Sequence, residues 1–319
     1  MRRSRKISVP VTKEQIMAQP KLGWIGVGVI GGACAQRALE AGYKLVVYSR
    51  TKSKAEPLLE RGAQWRENPR EVAEAADIVF STVGTPKDVR EIFFGANGVL
   101  EAWRNAPSSV FQRTYVDSTT SSPELAAEIA SAARENGFDA LDAPVSGGDV
   151  GARNGTLSIM VGGDASVFER IRPVFSVFGT NVRLAGGAGA GQRTKMANQI
   201  LIAGNMIGVC EALLYAYKAG LDLDSVLASV STGAAGSWSL SNLAPRILKG
   251  DYKPGFYVEH FVKDMTIALE DASQMRLSLP GLSLVRQLYV ALMAHGGAKC
   301  GTQALIKALA TLSNVDAFH

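Results

Sequence analysis

Cysteine and histidine are scarce in this chain, which has three of each among 319 residues. Cys34, Cys210 and Cys300 are too few and too far apart in sequence for a disulfide framework or a cysteine-based metal site. So few cysteines are typical of a protein kept under reducing, intracellular conditions. The histidines show no ligand spacing either, so the sequence predicts no metal centre.

Long hydrophobic runs are also missing. The most apolar stretch, residues 200–216, is interrupted by Asn205 and Glu211. A membrane-spanning helix needs about 20 predominantly apolar residues. We therefore expect this stretch to be a buried helix, and we expect no membrane partner.

Excess charge is missing from most of the chain, because +4 of the net charge of +5 lies in residues 1–20. A body with so little net charge argues against nucleic-acid binding and suits a small-molecule enzyme. Residues 1–20 form a basic extension that resembles either an organellar targeting segment or a disordered tail, and both interpretations stay open. We expect a cytoplasmic protein, or a mitochondrial one if the extension is a targeting segment.

Strand and helix patterns alternate up to the glycine-rich sequence GGAGAG at residues 186–191. Such alternation is typical of a mostly parallel sheet with helices on both faces. After it, the apolar spacing is helical throughout, beginning with a long helix over about residues 192–218 that is a candidate for packing on another domain or subunit. The pattern predicts an α/β, doubly wound domain over 21–186 and an all-helical domain over 187–319. The predicted strands span residues 22–27, 44–48, 77–83, 114–117, 138–143 and 157–161.

The sequence GVGVIG at residues 26–31 follows the first predicted strand and precedes a helix predicted over 31–41. Glycines at this spacing allow a tight turn, close backbone approach to a pyrophosphate and close helix–sheet packing. The first N–H groups of the helix then point at the phosphate. In this context the fingerprint predicts a dinucleotide site of the Rossmann type, with Gly26, Gly28, Val29, Ile30 and Gly31 against the cofactor.

The second predicted strand ends in VVYSRTKSK at residues 46–54. An NAD-binding protein usually places an acid here to bind the ribose 2′-hydroxyl, and an acid would repel a 2′-phosphate. Cations and hydroxyls would instead bind that phosphate through charge-assisted hydrogen bonds. We therefore predict NADP as the preferred cofactor, with NAD as the alternative, held by Ser49, Arg50, Thr51 and Lys54.

Lys195, Asn198 and Gln199 are spaced three and four residues apart on one face of the long predicted helix. An ammonium and amides on an otherwise apolar helix are costly unless they face a cleft. A lysine that reaches along the helix to solvent is the alternative interpretation.

Taken in order, the motifs resemble the β-hydroxyacid dehydrogenase family, which includes 3-hydroxyisobutyrate dehydrogenases and NADPH-dependent glyoxylate and succinic semialdehyde reductases. The likeness covers about residues 22–315. It depends on the glycine fingerprint and on DSTTSSP at 117–123, DAPVSGG at 142–148, GAGQRTK at 189–195 and FYVEHFVKD at 256–264.

The resemblance implies that Lys195 is the catalytic lysine, the proton donor in reduction and the base in oxidation. It implies that the pKa of Lys195 lies below the usual value of about 10.4 through burial or a nearby cation such as Lys263. Cofactor contacts are implied for Val83, Thr120 and Lys263, and substrate contacts for Thr119, Ser146, Gly147, Gly148, Asn198, Gln199, Phe256 and Asp264. Thr119 and Gln199 depart from the usual Ser and Asn of the family, which leaves the substrate side chain open.

The sequence thus predicts an NADP-preferring oxidoreductase that acts on small β-hydroxyacids or aldehyde acids of the 3-hydroxyisobutyrate, glyoxylate or succinic semialdehyde type. A homo-oligomer, dimer or tetramer, is expected. The alternative, from another functional class, is a non-catalytic NADPH-binding scaffold or sensor. The presence of Lys195 argues against this alternative. Imine reduction is a third interpretation, for which we expect a different residue in place of Lys195.

Overall fold

The computed structural model describes residues 19–104, 106–107 and 109–318, so most of the basic extension lies outside the described residues. A nine-stranded sheet forms the first part of the chain, in the order β3-β2-β1-β4-β5-β6-β8-β7, with β9 beside β8. The strands are β1 (Leu22–Ile25), β2 (Leu45–Tyr48), β3 (Gln64–Trp65), β4 (Ile78–Ser81), β5 (Thr114–Asp117), β6 (Asp139–Asp142), β7 (Val145–Ser146), β8 (Leu157–Gly162) and β9 (Gly179–Gly186).

The first six strands are parallel, whereas β8 runs antiparallel to β6 and β7 and parallel to β9. Helices cover both faces, as the alternating pattern predicts. They are α1 (Val29–Glu40), α2 (Glu56–Leu59), α3 (Pro69–Glu74), α4 (Pro86–Phe94), α5 (Val99–Trp103), α6 (Pro123–Glu135), α7 (Gly148–Asn154) and α8 (Ala165–Phe175).

The second part of the chain is helical, apart from an isolated bridge between Tyr257 and Gly301. Its helices are α9 (Ala190–Lys218), α10 (Leu223–Val230), α11 (Trp238–Asn242), α12 (Ala244–Leu248), α13 (Val258–Gln274), α14 (Pro280–Ala294) and α15 (Leu305–Leu312). The predicted fold class, a doubly wound Rossmann domain followed by a helical domain, is confirmed.

Three hydrophobic cores hold these layers together. Two lie on opposite faces of the sheet, and one of them is built on a stacked pair, Trp24 and Phe80, whose ring centroids are 4.8 Å apart. The third surrounds α9 and is completed by α13, α14 and α15. Burying large aromatic side chains contributes strongly to such cores.

Several boundaries differ from the sequence prediction. α1 begins at Val29 rather than at residue 31, and α9 begins at Ala190 rather than at residue 192. Strands β3, β7 and β9 were not predicted. β7 has two residues, and β9 is a largely exposed strand that contains Gly, Asn and Arg and pairs only with β8 among the described strands.

We expected residues 200–216 to be too short and too polar for a membrane-spanning helix, and this expectation is wrong. The helix that contains them is long enough and apolar enough to cross a membrane, by length and composition alone. The 29-residue α9 contains an 18-residue window with a mean hydropathy of 1.6, of which 39% is buried. Its polar residues Gln192, Lys195 and Gln199 are buried at the sheet-facing end, and its apolar residues form the centre of the helical core. We interpret α9 as the central helix of the second domain with one exposed apolar face.

The start of α9 docks on the carboxyl end of β6. The Asp142 carboxylate accepts hydrogen bonds from the backbone N–H groups of Gly189 (2.7 Å) and Gln192 (2.8 Å). N–H groups at a helix N-terminus have no acceptor within the helix, so Asp142 supplies one. A Cβ at Gly191 would lie 2.4 Å from the Met160 carbonyl oxygen, so only glycine allows this approach. This contact between Asp142 and the N-terminus of α9 fixes the positions of the side chains in the first two turns of the helix.

A Gly191→Ala variant should therefore be less stable by about 1–3 kcal/mol, the usual cost of overpacking a tight contact. Gly281→Ala is the matched control, because Gly281 is also helical and a Cβ there would meet nothing within 4 Å. The control should be unchanged, or more stable by up to about 1 kcal/mol. Urea unfolding measures both, and a Gly191→Ala variant as stable as the wild type would contradict the docking contact.

Candidate active site

The glycine fingerprint lies at the turn between β1 and α1. Gly26 has a φ of +90°, and a Cβ at Gly31 would lie 2.1 Å from the Gly26 carbonyl oxygen, so both positions require glycine. Gly28 differs, because a Cβ there would meet nothing within 4 Å. It is the N-cap of α1, and no side chain caps the helix and no acid lies in its first turn. The turn therefore leaves space and free N–H groups for a pyrophosphate.

Val29 and Ile30 form the first turn of α1 beside this space, Val29 exposed and Ile30 half-buried. Val83 follows β4, the strand next to β1, and is half-buried. These predicted cofactor residues thus lie at one edge of the sheet, beyond the carboxyl ends of its parallel strands. That edge is where open α/β sheets bind their ligands.

Ser49, Arg50, Thr51 and Lys54 follow β2 at the same edge, with Arg50, Thr51 and Lys54 exposed. The Arg50 side chain is 78% exposed, and its Nη1 lies 3.0 Å from Oδ1 of Asp88 on α4. Asp88 was not predicted as part of this cluster. The Thr-Pro-Lys-Asp sequence at residues 85–88 does indicate a helix start, in which the Thr85 hydroxyl accepts from the Asp88 N–H. That the start of α4 lies close to the end of β2, however, follows only from the order of the strands in the sheet.

The loop after β5 is joined to the loop after β4 by buried hydrogen bonds. Oδ1 of Asp117 accepts from the Ser81 hydroxyl (2.8 Å) and from the Thr119 N–H (3.0 Å). The Thr119 hydroxyl accepts from the Val83 N–H (3.0 Å). Burial raises the pKa of Asp117 to about 6, although its hydrogen bonds to Thr119 and Ser81 oppose this shift. These contacts fix Thr119, and with it the neighbouring Thr120, at the carboxyl ends of β4 and β5.

Lys195 projects from the second turn of α9 and is only 7% exposed, so its side chain does not reach along the helix to solvent. Burial lowers the pKa of Lys195 to about 8. Asp264 raises this pKa and Lys263 lowers it further, and both effects are smaller than that of burial. A lysine with this pKa can donate and accept a proton near neutral pH.

Asp264 and Lys263, both on α13, connect the other polar residues of the site. Nε2 of Gln199 donates to Oδ2 of Asp264 (2.6 Å), and Nδ2 of Asn198 donates to Oε1 of Gln199 (2.8 Å). Lys263 Nζ lies 3.0 Å from Oδ1 of Asp264 and donates to the Thr120 carbonyl oxygen. Asp264 is 1% exposed, so it is part of a buried network rather than a surface ion pair.

Ser146, Gly147 and Gly148 connect β7 to α7. Gly147 and Gly148 have φ values of +130° and +63°, which favour glycine, and both residues are exposed. A Cβ at Gly148 would lie 3.9 Å from the Gly255 carbonyl oxygen, and Gly255 directly precedes the half-buried Phe256. The glycine turn of the first domain thus lies near the Phe256 segment of the second domain.

Gln192 was also missed by the sequence analysis, although it lies in the motif of Lys195 and three residues before it. It is fully buried. Its side-chain amide donates to the Thr119 carbonyl (2.8 Å) and accepts from the Ser121 N–H (2.9 Å). Spacing alone could have placed Gln192 on the Lys195 face of the helix. The hydrogen-bond partners of its side chain, however, lie more than 70 positions away in the sequence, and helical spacing does not predict such contacts.

Two sets of predicted residues emerge from these contacts. The nucleotide set lies at the carboxyl ends of β1, β2 and β4. The second set lies between the β5 loop and the helical domain, where Lys263 bonds to both Thr120 and Asp264. Gln199 in turn connects Asp264 to Asn198. Thr119 belongs to both sets through its bond to Val83.

Comparison with known proteins gives matches over nearly the whole described chain. The NAD binding domain of 6-phosphogluconate dehydrogenase matches residues 21–187, and the NAD-binding domain of NADP-dependent 3-hydroxyisobutyrate dehydrogenase matches residues 189–309.

Relatives and solved structures agree. A probable mitochondrial 3-hydroxyisobutyrate dehydrogenase-like protein of Arabidopsis thaliana is 49% identical over 92% of this chain and 86% of its own. The 2-hydroxy-3-oxopropionate reductase of Escherichia coli is 42% identical over 92% and 98%. The structure of Mycobacterium tuberculosis 3-hydroxyisobutyrate dehydrogenase with L-serine has a TM-score of 0.83 at 28% identity, covering 92% of this chain and 99% of that one.

The resemblance inferred from the ordered motifs is thereby confirmed, and the chain belongs to the β-hydroxyacid dehydrogenase family of NAD(P)-dependent oxidoreductases.

Proposed function

We propose that this protein reduces a small aldehyde acid, of the glyoxylate or succinic semialdehyde type, with NADPH, and that Lys195 donates the proton. Oxidation of a β-hydroxyacid such as 3-hydroxyisobutyrate is the reverse direction of the same chemistry. The observation that carries the proposal is the buried Lys195 amine, with a pKa of about 8 on which the charges of Asp264 and Lys263 both act. Lys263 in turn donates to the Thr120 carbonyl, in the loop that follows β5.

The fingerprint turn fits the cofactor, because Gly28 leaves room and α1 offers uncapped N–H groups to its phosphates. When bound, the nicotinamide supplies the hydride to the carbonyl carbon. The carbonyl oxygen then gains an electron pair, and the Lys195 ammonium gives it a proton and becomes a neutral amine. In oxidation the neutral amine removes the hydroxyl proton instead.

The remaining residues position the substrate in this proposal. The exposed backbone N–H groups of Gly147 and Gly148, with the Ser146 hydroxyl, bind the substrate carboxylate and set its orientation. Phe256 lines the apolar side of the substrate. Thr119, Asn198, Gln199 and Asp264 border the reacting carbon, and Thr120, Val83 and Lys263 hold the nicotinamide end of the cofactor.

Replacing Lys195 by Ala should lower kcat by about 10²–10⁴-fold, the usual contribution of a general acid. The dissociation constant for NADPH should change little, because the phosphate contacts lie elsewhere. Lys218→Ala, at the other end of α9, is the control and should keep full activity. Steady-state assays with a panel of two- to five-carbon aldehyde acids, together with cofactor titration, measure both quantities. A wild-type protein that binds NADPH and turns over none of them would support the scaffold alternative.

The pH dependence of reduction should follow Lys195, because only its protonated form is the donor. The kcat for reduction should be constant below pH 8 and fall as the pH rises through about 8. Asp264→Asn removes a negative charge that raises this pKa, so the fall should move to lower pH. Asp271→Asn, on the same helix but paired with Arg193, should leave it in place. Superimposable profiles for the wild type and Asp264→Asn would contradict this assignment.

We propose that the enzyme prefers NADP over NAD, because cations follow β2 where an acid would repel the 2′-phosphate. Arg50→Ala should weaken NADPH binding by about 10–100-fold, since hydrogen bonds between charged groups contribute roughly 1.5–3 kcal/mol. NADH binding should stay the same. Arg61→Ala, which breaks a similarly exposed pair with Glu40, is the control. Equal losses for NADPH and NADH would show that Arg50 does not bind the 2′-phosphate.

We also propose a homo-oligomer, a dimer or tetramer, formed through the exposed face of α9. Leu201 and Tyr215 on that face are 68% and 76% exposed, which is unusual for large apolar side chains on so apolar a helix. A self-complementary protein surface accounts for this face without a membrane or nucleic-acid partner. Light scattering measures the molar mass of the wild type and of the Leu201→Lys variant. The wild type should have the mass of a dimer or tetramer and the variant that of a monomer, and a monomeric wild type would contradict the proposal.

The domain division that we propose is a basic extension over 1–20, a dinucleotide-binding domain over 21–186 and a helical substrate and oligomerisation domain over 187–319. For location we propose the cytoplasm, with mitochondria as the alternative if residues 1–20 are a targeting segment. A fluorescent fusion of residues 1–20 distinguishes the two.

A further inference from the structure

Gln192 occupies a position that the proposed chemistry does not yet explain. Its side chain is fully buried, and both ends of its amide bond to backbone groups of the segment Thr119–Ser121. A buried amide is costly unless its donor and acceptor are both satisfied. Here one side chain satisfies two backbone groups of a loop that lies beyond Asp117, the last paired residue of β5.

The backbone of Gln192 is itself fixed. Its N–H donates to Oδ2 of Asp142 (2.8 Å), at the dock between α9 and β6. Lys195 follows three residues later, roughly 4.5 Å along the helix axis. The Gln192 amide is therefore a short and rigid connection between the Thr119–Ser121 segment and the helix that carries the Lys195 amine.

The same segment is fixed to the sheet by the bonds of Thr119 to Asp117 and Val83. On the side of the helical domain, Lys263 also contacts it, at the Thr120 carbonyl. The Lys263 side chain is long and partly exposed, whereas Gln192 is fully buried. Gln192 is thus the stiffer of the two connections from the helical domain.

We propose that Gln192 is a positioning residue: its amide holds the Thr119–Ser121 segment, and with it the nicotinamide end of the cofactor, at a set distance from Lys195. This inference rests on the proposed function of Lys195. A misplacement of about 1 Å between reacting groups can lower a rate by about 100-fold. Loss of the amide should therefore lower the rate of the chemical step more than it weakens cofactor binding.

The test compares two buried glutamines that bond to backbone. Gln192→Leu removes both hydrogen bonds at similar size, and Gln303→Leu is the matched control, because Gln303 bonds the Asp251 and Lys253 carbonyls inside the helical domain. Each variant is assayed with NADPH and whichever of glyoxylate and succinic semialdehyde the wild type reduces faster. Gln192→Leu should lower kcat by about 10–100-fold, change the NADPH dissociation constant by less than about threefold, and raise the isotope effect with 4-deuterated NADPH. Gln303→Leu should alter only thermal stability.

Gln192→Glu gives a second readout that does not depend on tolerance of Leu. A protonated carboxyl can donate to the Thr119 carbonyl and accept from the Ser121 N–H, whereas a carboxylate has no donor. The ratio of Gln192→Glu to wild-type kcat should therefore be highest at low pH and fall as the pH rises through the pKa of the new carboxyl group. A purely structural role would change stability and leave this ratio and the isotope effect unchanged.

Lys195→Ala measured beside these variants separates this inference from the proposed function. If turnover depends on Lys195 while folded Gln192→Leu or Gln192→Glu keeps wild-type kcat and isotope effect, the positioning role is overturned and the function stands. If Lys195→Ala turns over substrate as fast as the wild type, the proposed function fails and this inference fails with it.

Discussion

The carboxylate of Asp142 at the N-terminus of α9 is the contact on which the site depends. A negative charge is favourable there, because the first N–H groups of a helix lack partners and carry partial positive charge. Asp142 ends β6, so the same contact fixes the helical domain to the edge of the sheet where its parallel strands end. Gly191 makes the approach close enough for the Gln192 side chain to reach the loop after β5. Residues from two domains that we propose to act in catalysis and cofactor binding are thereby positioned by one helix terminus.

Burial gives this arrangement its chemical consequence. Removing the Lys195 amine from water disfavours its charged form, which brings its pKa to about 8. Lys263 acts in the same direction and Asp264 opposes it, so α13 adjusts the proton affinity of a group on α9. Asp264 is in turn held by Gln199, one helical turn beyond Lys195. The hydrogen-bond network that holds Asp264 and Lys263 in place therefore also influences the charge of the Lys195 amine.

The sequence predicted those features whose signals are local. The glycine fingerprint, the acid-free end of β2 and the polar face of α9 each lie within a few residues, and the structure has them on the expected elements. The start of α6 is a local signal of the same kind, because Ser122 caps the helix and Pro123 is its first residue. Gln192, Asp88 and β9 were missed because their partners are distant in sequence, on neighbouring strands or on the other domain. β9 in addition is largely exposed, and its apolar alternation is limited to Val182 and Leu184, which pack at the margin of one core.

The proposed chemistry requires the Lys195 amine to face the reacting oxygen of a substrate bound opposite the nicotinamide. A crystal structure of the ternary complex with NADP and a non-reacting hydroxyacid analogue tests it most directly. We expect Nζ of Lys195 within hydrogen-bonding distance, about 2.6–3.2 Å, of the analogue's hydroxyl oxygen. An amine turned away from that oxygen, in a closed complex with both ligands bound, would contradict it.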